Sequence, residues 1–150
     1  MVKNTDLHTH SHYSDGQLSP TQLVKLAKKR GVMNLSLTDH NSVRGVNEAL
    51  IAGKKLGVNV IPGVEIEVET GEILGYFIDI NDKALRKLLR DNREKTKTRV
   101  LDWCNRLRKA GYPITLTELK KNFSKARENL NGFYVLYTLY KKGYGKPLKL

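Results

Sequence analysis

The run Asp6-Leu7-His8-Thr9-His10-Ser11-His12-Tyr13-Ser14-Asp15-Gly16 holds three of the chain's four histidines and a carboxylate that follows them closely. In an extended strand alternate side chains share a face, so His8 and His10 point the same way while Thr9 points into the packing. Asp15 then returns through a Ser-Asp-Gly turn. Two imidazoles on one face beside a carboxylate make half of a coordination shell for a borderline divalent metal such as zinc, manganese or iron. A lone His-x-His also fits a polar N-terminus of no consequence. Ligand-type residues recurring at two later strand ends weigh against that bland reading.

Outward from this run, residues 4–9 read as a short strand feeding the histidines. Ser19-Pro20-Thr21-Gln22 announces a helix, with Ser19 as N-cap, Pro20 in the first helical position and Gln22 able to close a capping box. Leu23, Leu26 and Ala27 give that helix its buried stripe, and Gly31 after Lys28-Lys29-Arg30 ends it. Asn34 to Thr38 is a second strand running directly into Asp39-His40-Asn41-Ser42. Val43, Val46, Ala49, Leu50 and Leu56 recur near helical period up to Gly57. Asn59 to Val64 is a third strand ending in Glu65, and Pro62 argues against a long ladder on one of its sides. Ile66 to Val68 and Ile73 to Ile78, about the turn at Thr70-Gly71, form a further pair of strands or one bent hairpin.

Strands alternating with helices of about a dozen residues predict an α/β fold with parallel strands, open or closed into a barrel. The loops after the strands then gather at one end of the sheet, and that end carries the site. His8 and His10 close the first strand, His40 follows the second and Glu65 follows the third, so these side chains are expected to converge with Asp15, Asp39 and Glu72. Divalent ions held by such a set lower the pKa of bound water and neutralise charge on phosphoryl oxygens, which suits phosphate ester cleavage. Asp39 has two readings, as a ligand or as a carboxylate capping a helix or orienting a histidine. His12 reads as a loop or substrate-facing residue, and Glu67 and Glu69 as solvent-side strand residues.

After Asp79 the character changes. Asp82 to Ala110 reads as one long helix, or two in line, with an exposed middle between Arg90 and Arg99. Thr115-x-x-Glu118 is a capping box opening a short helix to about Asn122. Phe133 to Lys142 is a last helix before a polar tail, Gly143 to Pro147. Residues 1–80 carry eight Lys and Arg against nine Asp and Glu, whereas residues 81–150 carry nineteen against six. The positive charge therefore belongs to the second part, a surface that attracts polyanions or a solvated helical face. The domains so drawn are an α/β half at 1–80 with the metal motifs and a basic helical module at 81–150. The chain's 150 residues are the length of one ordinary domain. Cys104, the single cysteine, reads as a packed thiol. No apolar run is long enough to span a membrane and no secretory leader is visible, so a cytoplasmic protein without a membrane partner is expected.

His8-Thr9-His10, Ser14-Asp15-Gly16-x-x-Ser19-Pro20, Thr38-Asp39-His40-Asn41 and Ile61-Pro62-Gly63-Val64-Glu65-Ile66 resemble, in order and spacing, the successive N-terminal motifs of the polymerase and histidinol phosphatase (PHP) superfamily. The match is to its stand-alone metal-dependent phosphoesterases, a group with nucleotide phosphatases and 5′-to-3′ exoribonucleases. Leu74-Gly75-Tyr76-Phe77-Ile78-Asp79 before a charged helix is similar to that group too. The resemblance is clear over residues 1–80 and loose beyond. It implies a partial, distorted (β/α) barrel with a helical insertion, and up to three divalent ions (manganese, zinc or iron). By this likeness His8, His10 and Glu65 hold one ion, Glu65 bridges to a second, and Asp15 with His40 holds a third.

Glu72 stands where the family usually has histidine, and Tyr134 where it has another that meets substrate. The family's late Ala-His-Pro and Asp-x-His motifs have no counterpart after Tyr144. The sequence thus corresponds to about half of such a barrel plus its insertion: a fragment, a short form completed by self-association, or a degenerate relative. The resemblance implies a hydrolase of phosphate esters, acting on phosphorylated small molecules or nucleic-acid ends. In it Asp15, His40 and Glu65 are catalytic, His8, His10 and Glu72 complete the ligands, and Asp39, His12 and Tyr134 lie behind the ligands or beside substrate. The alternative is a non-catalytic PHP remnant that binds nucleic acid or another polyanion through its basic half. A homo-oligomer fits either.

Overall fold

The computed structural model describes residues 4–122 and 129–145; Lys146 and Pro147 of the expected polar tail lie outside them. In order, the chain forms β1 (Thr5–Thr9), α1 (Pro20–Lys29), β2 (Asn34–Leu37), α2 (Val46–Leu56), β3 (Asn59–Val68), β4 (Gly71–Tyr76), α3 (Lys83–Lys109), α4 (Leu116–Asn122) and α5 (Gly132–Lys141). The four strands form one curled half-barrel sheet in the order β1-β2-β3-β4. β1, β2 and β3 are parallel, as βαβ crossovers through α1 and α2 require, and β4 is antiparallel to β3. The chain divides into two compact units, Met1–Asn92 and Arg93–Leu150.

In the first unit the helices cover one face of the sheet. Val24 and Ala27 of α1 and Ala49 and Ala52 of α2 pack with Leu35, Leu37 and Val58, all nearly or fully buried. Val24, not Leu26, is the centre of the α1 stripe. The α1 start follows its local chemistry, since Ser19 Oγ accepts from Gln22 N–H at 3.1 Å and Gln22 Oε1 accepts from Ser19 N–H at 2.9 Å. Leu35 and Leu37 face the helices, so by alternation Ser36 and Thr38 face the other side, where both are also fully buried.

β3 is longer than its sequence predicts. It runs from Asn59 through Pro62 to Val68 because it changes partner on the way. Its parallel ladder with β2 closes at Leu37↔Pro62, where proline has no N–H to offer, and its antiparallel ladder with β4 opens at Gly63↔Tyr76. At the crossing point a Cβ on Gly63 would collide with Ser36 Oγ and lie 2.9 Å from Thr38 Cγ2, so only glycine lets the strands approach there.

In the second unit the apolar groups gather in one cluster: Val100 and Cys104 of α3, Ile114, Leu119 of α4, and Leu130, Tyr134 and Val135 around and within α5. Burial pushes the Cys104 thiol up, which fits an inert packed cysteine. α4 begins with the expected capping box, Thr115 Oγ1 accepting from Glu118 N–H at 3.2 Å and Glu118 Oε2 from Thr115 N–H at 2.8 Å. α3 is one helix. Its middle is largely exposed, but Leu89, Thr96 and Val100 are buried, so the inward stripe continues through a polar threonine. No described helix is long and apolar enough to cross a membrane.

Candidate metal centre

The backbone brings the donors together before any side chain is considered. Beyond the end of β2, Thr38 N–H donates to Thr9 O at 2.8 Å, tying the chain to β1. Glu65 N–H then donates to Asp39 O at 3.3 Å and Asn41 N–H to Glu65 O at 2.7 Å, which makes His40 and Glu65 parallel neighbours. Asn41 turns the chain away with φ 48°, a left-handed conformation that asparagine tolerates better than most residues. The β1 ladder is irregular between Asp6 and Thr9, and a break of this kind re-aims side chains such as His8. Glu65 lies within β3, not after it as the sequence predicts, and the β4 pairing is what carries the strand past it.

Glu65, 3% exposed, is the hub. Its Oε2 is 3.1 Å from His8 Nε2, 3.4 Å from His10 Nε2 and 3.2 Å from His40 Nδ1. Asp15 closes the other side, with Oδ1 3.3 Å from His10 Nδ1 and Oδ2 3.4 Å from His40 Nε2. Glu72 Oε1, on the half-exposed start of β4, is 3.4 Å from His40 Nδ1. Three sets of donor atoms, each within 4.8 Å of one another, result: His8, His10 and Glu65; His10, Asp15 and His40; His40, Glu65 and Glu72. His10, His40 and Glu65 each belong to two sets.

The charges are strongly unequal. Burial works against ionisation of Asp15, but the hydrogen bond to His40 and the attraction of His40 and His10 outweigh it and hold the carboxyl at about 2. Burial likewise opposes a charged His40, whose hydrogen bond to Asp15 and the nearby Asp15, Glu65 and Glu72 charges raise it to about 8. His10, its ring stacked 4.7 Å from that of His40, is lowered by burial, with Asp15 pulling the other way. Burial raises Glu72, against the pull of His40 and with the push of Glu65.

Asp39 is fully buried beneath the cluster, and burial raises its carboxyl against the hydrogen bonds of Ser11 and Ser14. Its Oδ1 accepts from Ser11 N–H at 2.7 Å and from Ser14 Oγ at 2.7 Å, and its Oδ2 from Ser11 Oγ at 2.7 Å. Ser14 Oγ also stands 3.3 Å from His10 Nδ1, so Asp39 reaches that histidine through a serine. Ser11 and Ser14 are the supporting residues that sequence reasoning passed over; their place inside the histidine run was the available signal. Gly16 completes the loop, since a Cβ there would collide with His10 O.

Two further expected site residues are not among the donors. His12 joins none of the donor sets; its ring packs 4.7 Å from that of Tyr13, and its buried Nδ1 has no hydrogen-bond partner among the described residues. Tyr134, expected beside substrate, is 0% exposed and belongs to the apolar cluster of the second unit. Glu67 is half-buried: its N–H donates to Asn41 Oδ1 at 3.1 Å, and Asn92 Nδ2 donates to its carbonyl at 2.8 Å. Glu69 is exposed, as expected.

The donor set fits divalent metal. One carboxylate oxygen faces three imidazole nitrogens, and a second carboxylate faces two. A cation lets neutral imidazoles present lone pairs. Donors about 2.1 Å from a tetrahedral ion stand about 3.4 Å apart, close to the separations here. Imidazoles mixed with carboxylates suit zinc, iron or manganese.

Comparison with known proteins bears on this geometry. The family profile of the PHP domain matches residues 6–131. A 5′-3′ exoribonuclease of Haemophilus influenzae is 39% identical over 117 residues, covering 75% of this chain and 43% of that protein. A 3′,5′-nucleoside bisphosphate phosphatase of Chromobacterium violaceum is 39% identical over 97 residues, covering 62% and 34%. A solved amidohydrolase of C. violaceum, with bound sulfate and no metal, superposes with a TM-score of 0.86 at 31% identity over 95% of this chain and 51% of its own. The chain spans less than half the length of the two curated relatives.

Proposed function

Since the chain belongs to the PHP domain family, we propose that it carries the metal-binding part of a divalent-metal phosphoesterase that hydrolyses phosphate esters of nucleotides or nucleic-acid ends. The observation that supports this most is the convergence of His8, His10, Asp15, His40, Glu65 and Glu72 into three overlapping donor sets around one buried carboxylate. His8, His10 and Glu65 would hold one ion, Glu65 with His40 and Glu72 a second, and Asp15 with His10 and His40 a third position. Manganese, zinc or iron bound there would polarise the phosphoryl oxygens and activate water.

The chain's own residues do the remaining work. Glu65 sets the spacing of the donors, because it is fixed in the sheet between two ladders. With the third position empty, Asp15 would orient His10 and His40 by pairing with one nitrogen of each. Asp39 holds the loop of Ser11 and Ser14, and so the direction from which Asp15 enters. Residues that orient ligands in this way affect metal affinity by about 10 to 100-fold in other proteins.

The test is a reconstitution. Wild-type protein loaded with Mn²⁺ or Zn²⁺ is expected to release phosphate from nucleotide monoesters or short RNA, and the double variant His8→Ala, His10→Ala to lose both the ions and the release. Protein with verified ions that cleaves no phosphate ester would overturn the proposal. A second reading has its own observation in the nineteen Lys and Arg of residues 81–150 against six acids. On that reading the chain binds nucleic acid without cleaving it, with an affinity that falls steeply with salt and survives the histidine substitutions.

A further inference from the structure

The second unit leaves apolar surface open beside its own core. Between the last turns of α3 and the length of α5 runs a groove of about 580 Å³, with Trp103 and Leu107 on one wall and Val135, Leu136 and Leu139 on the other. Trp103 is 36% exposed and Leu136 55%, while Val135 joins the groove to the buried cluster. A Cβ on Gly132, in the first turn of α5, would stand 3.3 Å from Trp103 Cζ3, so the indole lies close against bare backbone at one end.

The shape of the groove suits a helix. Its lining runs from Trp103 to Ala110 on one wall and from Gly132 to Leu139 on the other, each a span of about 10 Å at the rise of a helix. Apolar anchors at i, i+3, i+4 and i+7 of a docked helix cover that span. Sites for small molecules set several polar groups around their ligand, whereas here Arg106 and the indole N–H are the polar side-chain groups of the lining. A lipid surface is too broad to enter a cleft between two helices.

Charge narrows the choice of helix. Arg106 stands at the edge of the groove in an exposed pair with Asp102 at 3.7 Å, a contact that holds it weakly. Lys109, also exposed, lies three residues on and therefore on the same side of α3. Residues 93–150 carry fifteen Lys and Arg against four Asp and Glu. Each described helix of this chain is itself net basic, so a helix from a second copy would bring like charge to the groove.

We propose that this groove receives an acidic amphipathic helix of a partner protein, its apolar side between α3 and α5 and its carboxylates beside Arg106 and Lys109. The surface needs neither ions nor turnover, so it stands apart from the reading of the donor cluster.

Trp103 is the chain's single tryptophan and reports on the groove that it lines. The full chain is titrated with a synthetic peptide of about four helical turns, with leucine at i, i+3, i+4 and i+7 and glutamate on the remaining face. Trp103 emission is expected to move to shorter wavelength, with an affinity at least about tenfold above that of the same residues in scrambled order. Leu136→Glu, at an exposed position, should weaken binding about tenfold or more, the size of one buried leucine. Arg106→Glu with Lys109→Glu should turn the preference to a peptide with lysine in place of glutamate. No shift with the glutamate peptide, equal binding of the scrambled one, no effect of Leu136→Glu, or a wild type that prefers the lysine peptide overturns the proposal. So does emission that shifts with protein concentration alone, which makes the occupant a second copy. A shift with decanoate or anionic vesicles but not with the peptide overturns it too, since the occupant is then an amphiphile or a membrane.

Discussion

The two compact units bury different kinds of surface. Met1–Asn92 has an apolar layer under α1 and α2, but on the other side of the sheet it buries Ser11, Ser14, Ser36, Thr38, Asp39 and Glu65, none more than 3% exposed. Arg93–Leu150 buries chiefly an apolar cluster around Tyr134, with Thr96, Asn129 and Thr138 but no described charged group, and leaves most of its basic residues outside. Buried polar groups are stable only with their partners, whereas apolar burial depends on area and fit. The stability of the first unit should therefore follow what occupies its donor cluster, and that of the second should not.

The sharpest break is at the hub. Glu65→Ala removes a donor shared by two sets, so Mn²⁺ affinity, measured by calorimetry, is expected to fall about 100-fold or more. With it goes the stabilisation by metal, about 2.7 kcal/mol at 100 times the dissociation constant. A variant that still gains stability from Mn²⁺ would show that the ion binds elsewhere.

Tyr134→Ala tests the other side of the contrast. A fully buried aromatic truncated to alanine costs about 3–5 kcal/mol, so denaturant unfolding of the second unit should shift strongly while Mn²⁺ binding persists. Loss of both would show that the two kinds of burial are coupled. Gly63→Ala strikes the seam between sheet and site, where the new methyl meets Ser36 and Thr38. Overpacking of this kind costs about 1–3 kcal/mol, and the melting temperature should drop with and without metal. The smallest effect belongs to Ser19→Ala, which removes an N-cap worth about 1 kcal/mol and should leave metal binding unchanged.

Local chemistry was legible in the sequence. Ser19 with Gln22 and Thr115 with Glu118 cap helices through contacts three residues apart, and His8 and His10 both meet Glu65, although the ladder breaks between Asp6 and Thr9 and β1 ends before His10. Glu65 was expected at a strand end but lies within β3, because the strand passes from β2 to β4 at Gly63, a switch of partner that no local pattern announces. The support of Asp39 by Ser11 and Ser14 spans 28 and 25 residues, so their place inside the histidine run could mark them but not name the partner. Tyr134 was named by a loose likeness to a histidine position, and its burial with Val135 and Thr138 on α5 was not read from the sequence.

At the centre stands one buried glutamate that gathers three imidazoles into a site for divalent ions. Crystals soaked in Mn²⁺ and measured at a wavelength where manganese scatters anomalously test it directly. The account predicts difference peaks within bonding distance of the Glu65 carboxylate, one of them also ligated by His8 and His10. Saturating Mn²⁺ with no peak beside Glu65, or peaks only on the surface acids, would contradict it.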